Sequence, residues 1–358
     1  MHTNVSVEEV SMKKKKHVAG VLLLLSVALV IVIGISASLG SANIPIMDCF
    51  RIMASRLPGI RHFVDVGEVK EVYQTIVINV RLPRILLAGL TGCGLAVVGA
   101  AFQGLFRNPL SDPHILGVSS GAALGATFAM LSGISFRIGS LGFVGICAFA
   151  GAIITVLVVY TLSGVGGRNN VTGLLLTGTA ISTMLSAIIS LLMTLHRNEL
   201  EKVYMWTLGS FSSATWGKVQ YLVLFVGIGV AVILCYSNDL NVLLTGEDSA
   251  KSLGINITRV KRILILFASL LVGACVSVSG IIGFVGLLIP HCTRLIAGPD
   301  HRRLLPYCCF SGAIFLILCD TIARTITQPS ELPVGVITAL FGAPYFIFLL
   351  YYNQKKIK

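Results

Sequence analysis

Residues able to carry charge-based chemistry are few in this 358-residue chain, and most stand at the ends of apolar runs. Arg81-Leu82-Pro83-Arg84 opens one run, Asp320 and Arg324 lie near the close of another, and His291 follows Pro290 inside a third. Arginines so placed either form a cationic docking site for an acidic partner or anchor the helix by snorkelling; residue type leaves both readings open. Ionisable groups at membrane depth mark function by default. For Asp320 and Arg324, four residues apart on one helical face, a mutual salt bridge is an equally good account. His291 fits a gate or a ligand, although a bundle histidine hydrogen-bonded to backbone is the commoner case. Thr177, Thr179, Ser182, Thr183 and Ser186 form the clearest hydroxyl group, of which Thr177, Ser182 and Ser186 are candidates to line a polar path. Hydroxyls bonding to neighbouring helices would look the same. There is no HExxH, no GxSxG, no acidic metal pair and no phosphate-cradling glycine loop, so no catalytic or metal-ligating residue is assigned. A process driven by ATP would need its ATPase on another chain.

The elements that must position these residues are apolar. Hydrophobic residues make up 55% of the chain and charged ones 12%, against about 25% charged in soluble domains. A polytopic, all-α membrane protein follows, since so few charges could not cover a soluble core of this size. The net charge of +12 would suit nucleic acid. The basic residues lie in short loops between apolar runs, however, which is the pattern of membrane orientation, so no nucleic-acid partner is expected. The nine cysteines form no CxxC pair, and most sit within apolar runs as small buried hydrophobes.

Apolar runs near 18–40, 80–105, 115–132, 141–162, 171–195, 217–236, 261–279, 281–297, 304–325 and 334–352 predict ten crossings in one bundle. Lys13–Lys16 precede a run too long for a signal-peptide core, which predicts a retained first helix with its basic end inside. An even number of crossings then puts residues 1–17 and the tail 353–358 both in the cytoplasm, around a transmembrane domain at 18–352. The majority of the 27 Lys and Arg residues fall inside on this scheme. Two segments exceed hairpin length: an outer, partly helical cap at 41–79 and an inner segment at 237–260. In the latter, Glu247, Ala250, Lys251 and Leu253 favour a short helix that Gly254 would stop. An ordered cytoplasmic element of that length suits a docking surface better than a simple connector. Gly99 precedes Pro109 by the spacing at which Gly280 precedes Pro290, a faint sign of an inverted repeat.

Longer motifs carry a resemblance. Arg81-Leu82-Pro83-Arg84, then Arg107-Asn108-Pro109-Leu110 and Leu116-Gly117-Val118-Ser119-Ser120-Gly121, resemble the signature of one permease family. So do the stretch from Ser279 to His291, the stretch from Glu331 to Val336 with Gly342-Ala343-Pro344 after it, and Leu174 to Gly178. The family is the FecCD type, the permeases of binding-protein-dependent ABC importers for iron complexes, haem and cobalamin. The resemblance implies ten helices per subunit and a dimer, of two copies or of a copy and a close homologue, with the path along its twofold axis. It implies two cytoplasmic ATPase subunits that hold ATP and Mg, an extracytoplasmic binding protein, and no cofactor on this chain. It further implies that Arg81, Arg84 and Arg324 meet acidic residues of the binding protein. Gly246, Glu247, Ser249, Ala250, Leu253 and Gly254 correspond to the coupling helices that enter the ATPase. Asn108, Leu110, Val171 and Thr172 correspond to the cytoplasmic gate, with Val171 departing from the small hydroxyl residue often found there. The implied location is a bacterial cytoplasmic membrane. The expected cargo is a ferric siderophore, with haem or cobalamin as alternatives; an ion-coupled secondary transporter is the reading from another class.

Overall fold

The computed structural model describes residues 7–40, 42–56, 69–134, 136–164 and 171–357. Among the described residues fifteen α-helices run in chain order: α1 (Val7–Ser38), α2 (Ile46–Ala54), α3 (Glu71–Ile76), α4 (Leu82–Leu105), α5 (Val118–Leu131), α6 (Phe143–Ser163), α7 (Val171–Leu195) and α8 (Leu200–Thr207), then α9 (Trp216–Cys235), α10 (Ser237–Leu243), α11 (Glu247–Ser252), α12 (Ile257–Ser279), α13 (Val285–Ala297), α14 (His301–Thr325) and α15 (Val334–Ile357). The described β-structure is a hairpin of two short strands, β1 (Arg137–Ile138) and β2 (Leu141–Gly142), between α5 and α6. The chain is thus all-α. Among the described residues seven helices are long and apolar enough to cross a membrane. Three shorter apolar helices, Val118–Leu131, Val285–Ala297 and Val334–Phe348, coincide with the other three expected spans.

Several boundaries differ from expectation for identifiable reasons. The first helix reaches back to Val7 through the lysine run, because Glu8, Glu9, Met12 and the lysines are good helix formers. Within the segment 1–17 the described residues are helical from Val7, and α15 runs to Ile357 through the segment 353–358. The second span begins well before residue 80: α3, a π-helical turn at Val77–Arg81 and α4 form one unbroken helical run, Glu71–Leu105. Pro83 lacks the N–H that would bond the carbonyl four residues back and crowds it, and a widened turn relieves that clash. Of the outer cap, α2 and α3 are helical as expected; residues 57–68 lie outside the described residues. The span expected at 281–297 is helical only from Val285. Gly280 (φ 73°) and Phe284 (φ 68°) break the backbone between α12 and α13. Only glycine fits at 280, since a β-carbon there would lie 2.2 Å from the Trp206 carbonyl oxygen.

α4 forms the axis of the bundle. In its run 83% of the most apolar stretch is buried, against 17% in α7, so α4 is packed all round and α7 lies at the edge. Lipid supplies no hydrophobic force between helices, and close approach of backbones must replace it. A β-carbon on Gly92 would lie 2.1 Å from the Gly312 carbonyl oxygen of α14, and one on Gly99 1.9 Å from that of Gly286 on α13. The glycines of the second span are therefore contact surfaces for two different neighbours. Gly99 is mid-helix whereas Gly280 ends one, so the two halves of the faint repeat do different structural jobs.

Candidate functional site

The expected site residues gather at two ends of the bundle. At one, the C-terminus of α1, the start of α4, the close of α14 and the start of α15 converge, and Arg81, Arg84 and Arg324 meet as expected from sequence. They do not face outward. Arg81, Arg84 and Arg324 are only 4%, 9% and 7% exposed, so neither reading of them as surface cations describes their surroundings here. Each is committed to an internal partner. Arg81 Nη1 donates to the carbonyls of Ala37 (2.5 Å) and Ser38 (2.9 Å), and Nη2 donates to Ala42. Arg324 Nη1 donates to Leu39 O (2.9 Å), while Nη2 donates to Ser36 O and to Ser36 Oγ. Both therefore satisfy carbonyls at the C-terminus of α1, where a helix leaves acceptors unpaired and carries partial negative charge.

Arg84 holds the centre. Its Nε and Nη2 bond both oxygens of Asp320 (2.8–3.1 Å), and its Nη1 bonds Glu331 (2.8 and 2.9 Å). Asp320 is 1% exposed. The expected i, i+4 pair is the weaker contact, with Arg324 Nε 3.9 Å from Asp320 Oδ2. A buried carboxylate and guanidinium stay charged only when so paired. The sequence offered no sign that Arg84, 236 residues upstream of Asp320, is its main partner.

The other end carries α11, the segment expected to couple to an ATPase. Gly246 (φ 120°) enters α11 and Gly254 (φ 82°) leaves it, the stop expected from sequence. Ala250 is fully buried and Ile255 N donates to its carbonyl (3.1 Å), so the helix is pinned on one face. Ser249, Leu253 and Gly254 are exposed on the other. Glu247 accepts from Lys261 Nζ at 2.7 Å, tying α11 to α12. That hydrogen bond, with the charges of Lys261, Arg107 and Lys251, outweighs partial burial and holds the Glu247 carboxyl below its ordinary value. Asn241 fastens α10 to α14: its Nδ2 donates to Asp300 Oδ1 (2.6 Å), and its Oδ1 accepts from the His301 backbone N–H (2.8 Å). Burial pushes the Asp300 carboxyl up, but the hydrogen bonds from Asn241 and the Arg302 amide win and lower it.

The expected gate residues lie in two places. Asn108 and Leu110 occupy the turn after α4, where Asn108 Oδ1 accepts from Leu110 N (2.9 Å) and the Leu110 side chain is exposed. Val171 and Thr172 begin α7. No hydrogen bond joins the two pairs among the described residues. Sequence reasoning missed Arg107, a non-glycine residue at φ 49° in that turn. Its Nη1 lies 3.9 Å from the place of a β-carbon on Gly246, so it brings the turn after α4 beside the mouth of α11. The run Arg-Asn-Pro-Leu was visible, but nothing in it shows that the arginine reaches a segment 140 residues away.

The hydroxyl group of α7 divides. Ser186 is exposed, whereas Thr177 and Ser182 are half-buried, Ser182 beside Gly117 at the end of the turn Pro113–Leu116. The free face instead carries Thr179, Thr183, Ser186, Ser190 and Thr194, at the three- and four-residue spacing of one helical stripe, with the exposed Leu176 between it and Thr172. Thr179, Thr183, Ser190 and Thr194 bond the carbonyl four residues back (2.8–3.0 Å). The stripe is a polar, uncharged wall with most of its donors already satisfied. His291 is half-buried beside Tyr345, with ring centroids 6.3 Å apart.

The chain is similar to known proteins. The model of the FecCD transport family matches residues 28–352. A cobalamin import system permease protein, BtuC of Halobacterium salinarum, is 45% identical over 285 residues, covering 79% of this chain and 75% of the relative. An uncharacterized ABC transporter permease of Bacillus subtilis, YvrB, is 40% identical over 342 residues, 95% of each chain. A solved structure of an inward-facing ABC transporter, assigned to the metal-chelate type, superposes with a TM-score of 0.81 at 33% identity, covering 93% of this chain and 99% of its own. Further relatives carry names for hemin, Fe(3+)-citrate and molybdate. With the family signature matched over nearly its whole length, the chain belongs to the FecCD transport family.

Proposed function

We propose that this chain is the permease subunit of an ABC importer, passing a metal chelate from an external binding protein to the cytoplasm while a separate subunit hydrolyses ATP. The observation that carries the reading is α11: a short helix pinned by Ala250 and by the Glu247–Lys261 pair, with Ser249 and Leu253 offered outward. A helix held rigidly at its base and exposed at its tip transmits force between two chains. Two such ATPase subunits, holding ATP and Mg, act on a pair of permeases, of this chain twice or with a close homologue. The exposed stripe of α7 faces the second copy and forms one wall of the path, with Asn108, Leu110, Val171 and Thr172 at its cytoplasmic mouth. The seven long and three shorter apolar helices give ten crossings of a bacterial cytoplasmic membrane, with both termini and α11 inside. This chain itself binds no cofactor.

Docking of the binding protein at Arg81, Arg84 and Arg324 has to be reconciled with their burial. Glu331 is the exchangeable partner, its side chain 40% exposed where that of Asp320 is 2%. An acidic group of the binding protein would displace Glu331 from Arg84 Nη1, leaving Asp320 in place. Reversing Arg81 or Arg84 to Glu would strip internal carbonyls and carboxylates of their donors, so it is no clean test of docking.

The cargo expected from the family resemblance is a ferric siderophore. The cobalamin name of the relative at 45% identity favours a corrinoid as the second reading. Membrane vesicles containing this chain with its ATPase and binding protein should accumulate labelled cargo only with ATP inside. Accumulation that survives ATP depletion and stops with an ionophore would overturn the importer reading. The same vesicles offered ferric siderophore, cyanocobalamin and haem in turn decide the cargo.

A further inference from the structure

At the arginine end a cavity of about 610 Å³ opens between α5, the β-hairpin, α8, the start of α9 and the close of α12. Its wall combines Met205 and Trp206 of α8 with Ser213, Ser279, Lys202 and Lys218. Lys218 is half-buried and its Nζ donates to Ser213 Oγ at 2.7 Å. Arg137 of β1 stands near enough to repel that ammonium. Among the described residues no carboxylate lies within ion-pair distance of either cation. The other charges of the cavity are spoken for: Lys202 pairs with Glu199 (2.8 Å), and Glu331 on the rim is held by Arg84. Two neighbouring cations, one of them partly stripped of water, are costly without a counter-charge.

The depth of the cavity says what supplies that charge. Both tryptophans of the chain stand here. Trp206 lines the wall, and Trp216 opens α9 with its indole N–H donating to Ile78 O (3.0 Å). Tryptophan gathers where lipid headgroups meet hydrocarbon, and a headgroup phosphate there can accept charge-assisted hydrogen bonds from an ammonium short of partners. We propose that this cavity binds the phosphate of an anionic phospholipid. Lys218 donates charge-assisted hydrogen bonds to its oxygens, Arg137 adds positive charge beside it, and Met205 and Trp206 line the side that meets the glycerol and upper acyl chain. Because those two residues belong to α8, occupancy also fixes the position of that helix.

The test uses the full chain purified in mild detergent. Native mass spectrometry measures retention of phosphatidylglycerol against phosphatidylcholine with the same acyl chains, and a parallel arm measures thermal stability with inorganic phosphate. The expected result is preferential retention of phosphatidylglycerol, weakened about fivefold in Lys218→Gln and further in Lys218→Gln with Arg137→Gln. Lys218→Arg should retain it, and Lys202→Gln, already paired, should change it least. Equal retention of the two lipids, or retention unchanged in Lys218→Gln, overturns the proposal. Stabilisation by inorganic phosphate equal to that by phosphatidylglycerol makes the anion a soluble one and overturns the lipid assignment.

Discussion

The Arg84–Asp320–Glu331 cluster makes the sharpest prediction, because one guanidinium bonds two carboxylates in different surroundings. Asp320→Asn keeps the shape of the side chain and removes its charge. It leaves Arg84, itself 9% exposed, with only the half-open Glu331 as counter-charge. Breaking a buried pair by removing one partner costs about 3–5 kcal/mol, whereas an ion pair reaching solvent is worth about 1 kcal/mol or less. Glu331→Gln belongs to the second class, since that side chain is 40% exposed. At about 1.4 kcal/mol per decade, Asp320→Asn should speed irreversible unfolding by about two to four powers of ten, and Glu331→Gln by less than about one.

The chain supplies its own reporter. Cys49, Cys275, Cys308 and Cys319 are free and buried, so a thiol-reactive fluorophore reads their exposure as the protein unfolds in detergent at fixed temperature. Rates are the proper quantity, as membrane proteins of this size seldom unfold reversibly. Replacing both charges with apolar groups, Arg84→Met with Asp320→Leu, should recover most of the loss, because apolar substitutes for buried ion pairs are often neutral. Asp320→Asn within fivefold of the wild type, or Glu331→Gln as damaging as Asp320→Asn, would refute the reasoning.

Three further outcomes are expected. Gly99→Ala forces a β-carbon to within 1.9 Å of the Gly286 carbonyl oxygen and should destabilise by about 3 kcal/mol, the upper end for overpacking. Gly227→Ala, with nothing within 4 Å, should be neutral or stabilise by up to about 1 kcal/mol; the same thiol assay compares them. Because the Glu247 carboxyl is held low, its contribution is complete above the ordinary value of about 4.3 and is lost as pH falls through the depressed one. Hydrogen exchange of the Glu247–Ser252 amides, corrected for intrinsic rate, should show protection falling at the acid end in the wild type and no such step in Glu247→Gln. Arg107→Gln should cut uptake about fivefold, a coupling on the scale of 1 kcal/mol, while ATPase activity persists; parallel loss of both activities would remove Arg107 from the coupling route.

What could be read from the chain follows what is local in its physics. The α11 helix was legible from Glu247, Ala250 and Lys251, because capping, propensity and a glycine stop act over one or two turns. The positions of most spans were legible too, since burial in hydrocarbon adds up residue by residue along a segment. The fate of Arg81 and Arg324 was not: an arginine that snorkels and one that caps another helix have the same sequence surroundings. Apart from the Ser36 hydroxyl, their acceptors are backbone carbonyls of residues 36–42, which carry no residue signature. In α7 the three- and four-residue spacing outlines a stripe, yet the stripe's free side depends on where α5, α6 and the turn Pro113–Leu116 pack. That is why Thr177 and Ser182 fell on the covered flank and Ser186 on the open one.

By itself, then, the sequence determined that the chain is helical, crosses a membrane repeatedly and carries a short polar helix between α10 and α12. Those properties are sums of local transfer energies and propensities, and no distant residue can reverse them. Only the tertiary structure decided that the arginines face inward, that Asp320 belongs first to Arg84, and that Gly92 and Gly99 touch two different helices. Charge pairing and carbonyl capping act over about 3 Å between groups far apart in sequence, and lipid exerts no hydrophobic pull to announce which helices will meet.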